Sequence, residues 1–169
     1  MPQKSKPLIY AMAWLMAAAL LTACASPPKG AQARVVARVS QWQETLNLRS
    51  LERQYDLPKG LLAAVMHQES RGMAKARSPA GAQGLFQIMP ATARDLNLRS
   101  AYHPQNSARA AAQYLAQLQQ RYSGDLKRTL AAYNWGMGNV DRYGVRASKM
   151  PKETRVYIAR VTQLRKLYR

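Results

Sequence analysis

His67-Gln68-Glu69-Ser70-Arg71-Gly72, followed by Ser78-Pro79-Ala80-Gly81-Ala82-Gln83-Gly84-Leu85-Phe86-Gln87-Ile88-Met89-Pro90, is the stretch on which the fold turns. Just upstream, Pro58 to Met66 reads as a helix with proline in its first turn. Leu62, Val65, Met66 and Glu69 then fall at the three-to-four-residue spacing of one helical face. The pattern sets a carboxylate on the apolar side of a helix. A carboxyl group facing a core loses the hydration of its charged form, so its pKa rises and it can hold a proton near neutral pH, as a general acid must. The same position suits a salt-bridged or snorkelling glutamate at a helix end, and the helix pattern alone leaves both readings open.

Four short motifs occur downstream in a fixed order: Glu69-Ser70, Gly84-Leu85-Phe86-Gln87-Ile88-Met89-Pro90, Ala131-Ala132-Tyr133-Asn134-Trp135-Gly136, and Glu153-Thr154 with Tyr157. Together they resemble the lytic transglycosylase domain, the lysozyme-like family that cuts the glycan of bacterial peptidoglycan. The likeness runs from Leu57 to Tyr168. It implies an all-α fold, mainly helical with α+β character at most: a single lysozyme-like domain with a glycan-binding cleft. It also implies a catalytic role for Glu69 and substrate-binding roles for Ser70, Phe86, Gln87, Tyr133, Asn134 and Tyr157.

Within that resemblance, Gln87 is the motif glutamine that hydrogen-bonds substrate, and Phe86 stands where methionine is common. Tyr133 packs against sugar or catalytic helix, Asn134 contacts an acetamido group, and Tyr157 points its hydroxyl at the carboxylate. Glu153 supports the fold of the cleft, and Trp135 fills a variable place. Each also fits a plainer role. Tyr133, Trp135 and Tyr157 suit a core, and Glu153 suits the first turn of a helix, where the macrodipole favours an acid. Gly81 and Gly84 permit close backbone approach, to a bound sugar or within an ordinary turn.

In chain order, Lys4 and Lys6 precede an apolar run from Leu8 to Ala23 that is short for a bilayer span and suits a signal-peptide core, so residues 1–23 are expected to be a targeting segment. Leu21-Thr22-Ala23-Cys24 resembles the lipobox of bacterial lipoproteins, which implies lipidation of Cys24 and a membrane partner through that anchor. An uncleaved anchor helix or a cleaved signal with a free thiol are the competing readings. Ala25 follows where inner-membrane lipoproteins carry aspartate, so the resemblance implies the periplasmic face of the outer membrane. Cys24 is the only cysteine, which excludes a disulfide within the chain.

Residues 24–32 are expected to form a tether. Residues 33–56 should form an amphipathic helix carrying Val35, Val39, Trp42 and Leu46, and residues 57–169 the catalytic domain. Further helices are expected at Pro90 to Leu96, at about Ala108 to Tyr122 with Ser107 as its cap, after Asp125, and from Glu153 to Arg169.

The chain carries a formal charge of +18. Removing Lys4 and Lys6 leaves 24 basic residues against 8 acidic ones, a formal +16 for the mature chain. Such a charge calls for an anionic partner. The basic residues are scattered without a nucleic-acid motif, so specific nucleic-acid binding is not expected, whereas the anionic peptide stems of the wall and phosphorylated lipid surfaces fit. A monomer is expected.

An ordinary glycosidase uses two carboxylates. Between Glu69 and Asn134 the cleft motifs contain no other, and Asp95, Asp125 and Asp141 read as structural. With one carboxyl group, the resemblance implies that Glu69 protonates the glycosidic oxygen and then, ionised, deprotonates the C6 hydroxyl of the muramoyl sugar, which closes on C1 as a 1,6-anhydro end. Goose-type lysozyme hydrolysis on the same fold is the rival chemistry. Non-catalytic binding to peptidoglycan in an envelope assembly is the rival class. No cofactor is expected, and no metal either: His67 and His103 are the only histidines, and no ligand set assembles around them.

Overall fold

The computed structural model of the protein describes residues 29–169. The expected signal segment, Cys24 and the first part of the tether lie outside the described residues. Among those described, the architecture is all-α, as expected, with only isolated β-bridges, Arg77 to Gln83 and Gln83 to Ile88. No helix among the described residues is long and apolar enough to cross a membrane.

The helix α3 (Leu61–Ser70) is the centre of the molecule. Leu61 to His67 are all buried, so this helix is covered on every side rather than along one stripe. Its fully buried Leu61, Leu62, Val65 and Met66 each contribute about 1.5–3 kcal/mol through burial. The helix starts later than the sequence pattern suggests. Pro58, Lys59 and Gly60 form the turn that leads into it, and proline does not sit in its first turn.

The layer in front of α3 is formed by α1 (Lys29–Thr45) and α2 (Leu48–Gln54). The stretch expected as one amphipathic helix over 33–56 is therefore two helices, and the first already begins within the expected tether. The break is at Asn47, held in the left-handed conformation at φ 46°, which asparagine tolerates better than most side chains. Val39, Leu46, Leu48 and Leu51 enter the core from these two helices. So does Glu52, which is 3% exposed: its carboxylate accepts from the backbone N–H groups of Gly60 and Leu62, each at 2.9 Å. It caps α3 from another helix and places negative charge at the positive end of the dipole. Burial raises the Glu52 pKa, and the backbone N–H groups it accepts from pull it back down.

Behind α3 runs α8 (Lys152–Leu167), with Thr154, Tyr157 and Val161 buried. It ends at Tyr168, whose hydroxyl lies 2.7 Å from Nδ1 of the buried His67. Burial lowers the His67 pKa, with the charge of Arg71 acting in the same sense.

Between these layers the chain passes through α4 (Pro90–Asp95), α5 (Pro104–Arg121), α6 (Leu126–Trp135) and α7 (Met137–Tyr143). Asp125 caps α6 as expected, accepting from the Arg128 N–H at 3.0 Å. Ser107 does not cap α5. That helix begins three residues earlier, with Pro104 in its first turn and His103 as N-cap, because proline at the first helical position is already set for the helical φ. Ser107 is fully buried inside the helix and its hydroxyl has no hydrogen-bond partner.

Candidate active site

Glu69 lies in the last turn of α3 and is partly exposed as a residue. Its carboxyl pKa is pushed up to about 7. Burial is the largest cause; the Tyr157 hydroxyl pulls it back down and the charge of Glu153 pushes it further up. A group with these properties is about half protonated near pH 7 and can both give and take a proton there, with part of the residue still exposed.

Around it stand the motif residues, brought together from four separate stretches. The Ser70 hydroxyl donates to the Leu85 carbonyl at 2.7 Å, and the Tyr133 hydroxyl donates to the next carbonyl, Phe86, at 2.8 Å. One donor comes from α3 and the other from α6, so the two helices grip successive peptide units of the loop between α3 and α4. The loop is also tied to itself, with paired backbone hydrogen bonds between Gln83 and Ile88 and a bond from the Gly84 N–H to the Ala76 carbonyl at 2.8 Å. Burial raises the Tyr133 and Tyr157 pKa values well above the phenol range, with the charge of Glu69 acting in the same direction. Both therefore stay neutral and able to donate.

Three expected site residues take up positions that redefine their roles. Phe86 is 0% exposed, so its ring belongs to the core, and its carbonyl serves as the acceptor for the Tyr133 hydroxyl. Ser70 is also buried, and its hydroxyl holds the loop rather than reaching outward. Gln87 sits at φ 47° and its amide nitrogen donates to the carbonyls of Ala76 and Gly84, at 3.2 and 2.9 Å, which aims the other end of the amide away from these bonds. Asn134 is partly exposed at the end of α6, beside Tyr133. Tyr157 is buried, and its hydroxyl meets no partner within strict hydrogen-bonding geometry, although it lies near enough to Glu69 to stabilise the ionised carboxylate.

Gly84 is needed for a reason other than sugar approach. At φ 74°, a Cβ there would collide with the Ala101 carbonyl, so the close contact is with the chain itself.

Two of the three aspartates expected to be structural, Asp125 and Asp141, take such positions. Asp125 caps α6 and lies 3.6 Å from Arg128, while Asp141 pairs with Arg121 at 2.6 Å and accepts from the Tyr122 hydroxyl at 3.0 Å. The Asp141 pKa is lowered, chiefly by its hydrogen bond from Arg121. The carboxylate that acts on Glu69 is the exposed Glu153, at the start of α8. Counting acids along the sequence overlooked this neighbour because it lies beyond Asn134, although the fourth motif contains it.

A family model described as the transglycosylase SLT domain matches residues 47–156. A "Transglycosylase" of Enterobacteria phage PRD1 is 38% identical over 111 residues, covering 66% of this chain and 40% of the relative. "Membrane-bound lytic murein transglycosylase F" of Cellvibrio japonicus is 33% identical over 123 residues, covering 69% of this chain and 24% of the relative. The chain thus spans well under half the length of these relatives. Among solved structures, an inactive mutant of the lytic transglycosylase Slt of Pseudomonas aeruginosa superposes with a TM-score of 0.64 at 29% identity, over 72% of this chain and 23% of the other. The 70 kDa soluble lytic transglycosylase of Escherichia coli superposes with a TM-score of 0.61 at 26% identity, over 72% of this chain and 24% of the other. With its helical architecture, its four motifs gathered around Glu69 and a family match over residues 47–156, the chain belongs to the transglycosylase SLT domain family.

Proposed function

We propose that the protein is a peptidoglycan lytic transglycosylase that cuts the β-1,4 bond between N-acetylmuramic acid and N-acetylglucosamine, with Glu69 as its single general acid and base. The observation that carries this reading is a carboxyl group with a pKa of about 7 at the open end of an otherwise buried helix. Protonated, Glu69 gives its proton to the glycosidic oxygen as the bond to C1 breaks, and the substrate's acetamido carbonyl stabilises the developing cation. Ionised, it takes the proton of the C6 hydroxyl, whose oxygen closes on C1. No water enters, and the attacking oxygen is already part of the same sugar, which supplies the advantage of proximity.

Tyr157 favours the ionised state after the first step, and the loop held by Ser70 and Tyr133 forms one wall for the glycan. Gln87 and Asn134 supply amides to it. Glu69→Gln is expected to lose activity on purified sacculi by about a hundredfold or more, with glycan binding kept. Equal solubilisation by both forms would remove Glu69 from the role and leave a binding function instead.

One observation favours a second reading. The charge of Glu153 reaches Glu69, so on this second reading a further carboxylate stands near enough to activate water, as in a goose-type lysozyme. Product mass decides: the anhydro end is lighter by one water than the hydrolytic product, and reducing ends alone would establish hydrolysis.

The protein acts, on this reading, from the periplasmic face of the outer membrane, anchored by lipid on Cys24 after removal of residues 1–23. Its basic surface faces the anionic wall and membrane. Labelled fatty acid should enter the wild-type chain and not Cys24→Ser. Label in both, or in neither, would overturn the anchor.

A further inference from the structure

The helix α1 lies wholly outside the residues 47–156 matched by the family model, yet it is docked against the end of α3 that carries Glu69. Arg71 closes α3 in the left-handed conformation at φ 55°, and the chain then leaves through Gly72. The carbonyls of these two residues receive hydrogen bonds from α1: Arg71 from Nη1 of Arg38 at 3.3 Å, and Gly72 from Nε1 of Trp42 at 2.9 Å. Arg38 and Trp42 are four residues apart and so share one face of α1. Between them Val39 is fully buried, which fixes the register of that face against the core.

The turn is fitted closely to these side chains. Gly72 has φ 75°, and a Cβ there would lie 3.2 Å from Cγ and Cδ of Arg38 and 3.4 Å from Cδ1 of Trp42. The Trp42 bond is shorter and partly buried, whereas the Arg38 bond is long and exposed, so Trp42 contributes more.

The contact continues into the site. The Gly72 N–H donates to Oγ of Ser70 at 3.2 Å, and Oγ of Ser70 donates to the Leu85 carbonyl at 2.7 Å. Three hydrogen bonds thus run from the indole of Trp42, through the turn next to Glu69, to the loop that walls the site. The last turn of a helix frays unless its carbonyls are held. A proton donor displaced by about 1 Å loses as much as a hundredfold in rate.

We propose that Trp42 is a positioning residue for the proton transfer: α1 braces the Ser70-Arg71-Gly72 turn so that Glu69 and the 84–88 loop keep their mutual geometry. The proposal rests on the reading of Glu69 as the proton donor.

Trp42→Phe keeps an aromatic ring in place and removes only the N–H donor. Assayed on soluble glycan strands, it is expected to lower kcat roughly five- to tenfold with KM unchanged. Looser packing of the turn also admits water to Glu69, so the alkaline limb of the pH profile should move to lower pH. Arg38→Met keeps the aliphatic packing and should give a smaller change of the same kind. Being exposed, that position carries the test alone should Trp42→Phe not fold.

Val140→Ala, in the separate cluster with Leu118, Tyr122 and Met150, serves as the control for simple loss of packing: it should lower Tm while leaving kcat and the pH limb in place below its melting range. If Trp42→Phe lowers only Tm, or raises KM alone, the brace is overturned. If Glu69→Gln retains activity, the reading of Glu69 falls instead, and the two failures are told apart by which variant behaves like wild type.

Discussion

Tyr157 and Glu69 oppose each other within the protein, and each raises or lowers the other's tendency to lose a proton. The hydroxyl pulls the carboxyl pKa down against the effect of burial, and the carboxylate pushes the phenol well above its ordinary range. The hydroxyl meets no partner within strict hydrogen-bonding geometry, so its donor is free to turn to the ionised carboxylate. Its donor capacity is held in reserve for the moment Glu69 becomes charged.

Tyr157→Phe should therefore leave Glu69 more strongly protonated. The expected result is an alkaline limb of the pH profile moved to higher pH, with kcat at the optimum reduced about tenfold, the equivalent of one hydrogen bond to a charged group. A pH series on soluble glycan measures both.

Glu153→Gln should move the same limb the other way. Its like charge raises the Glu69 pKa, so its removal lets the carboxyl ionise earlier and shifts the alkaline limb to lower pH. Salt should mimic the substitution in the wild-type protein, because Glu153 is exposed and its field is screened.

Glu69→Gln should stabilise the fold, and only at higher pH. The Glu69 pKa is raised from 4.5 to about 7 in the folded chain, so between those values the folded state binds more protons than the unfolded one. Stability from this group is full below about 4.5 and is lost as pH rises to about 7. With a discount for the partial exposure of the residue, the variant should gain about 2 kcal/mol above pH 7. That gain corresponds to roughly 4–8 °C in Tm. Near pH 4 the two melting curves should coincide, and calorimetry at both pH values checks the sign.

Glu52→Ala should cost more than any change among the exposed ion pairs. It leaves the N–H groups of Gly60 and Leu62 without their acceptor inside the protein, at roughly 2–4 kcal/mol in total. Breaking the exposed Arg121–Asp141 pair with Asp141→Asn should cost less than about 1 kcal/mol. Denaturant titration of both variants ranks them.

The periodic helices and the raised pKa of Glu69 were legible because local rules govern them: α3, α5, α6 and α8 carry apolar repeats, and Glu69 falls on the apolar side of one of them. Boundaries were less legible. Asn47 reads as one more polar residue in a helical pattern until its left-handed backbone splits α1 from α2. Proline at 104 started α5 where a serine cap was expected.

Tertiary partners were the least legible. Glu52 follows Leu48 and Leu51 on the buried side of α2, and an acid on such a face is the signal that was available. What it caps lies across the turn at Gly60 and Leu62. Phe86 lies in a motif that the resemblance ties to substrate, yet core packing decided where its ring points. Trp42 looked like a stripe residue, and only the docked geometry gives its indole N–H a destination.

The contact between α3 and α8 joins segments far apart in the sequence, since Tyr157 and Tyr168 complete the surroundings of a helix that begins at Leu61. During synthesis, a ribosome-bound chain that has not yet released α8 holds Glu69 in water, where an ordinary carboxylate ionises long before neutrality. Such a nascent chain has no proton to give. Only once α8 has left the ribosome and docked does the carboxyl gain the burial that lets it keep a proton near neutral pH.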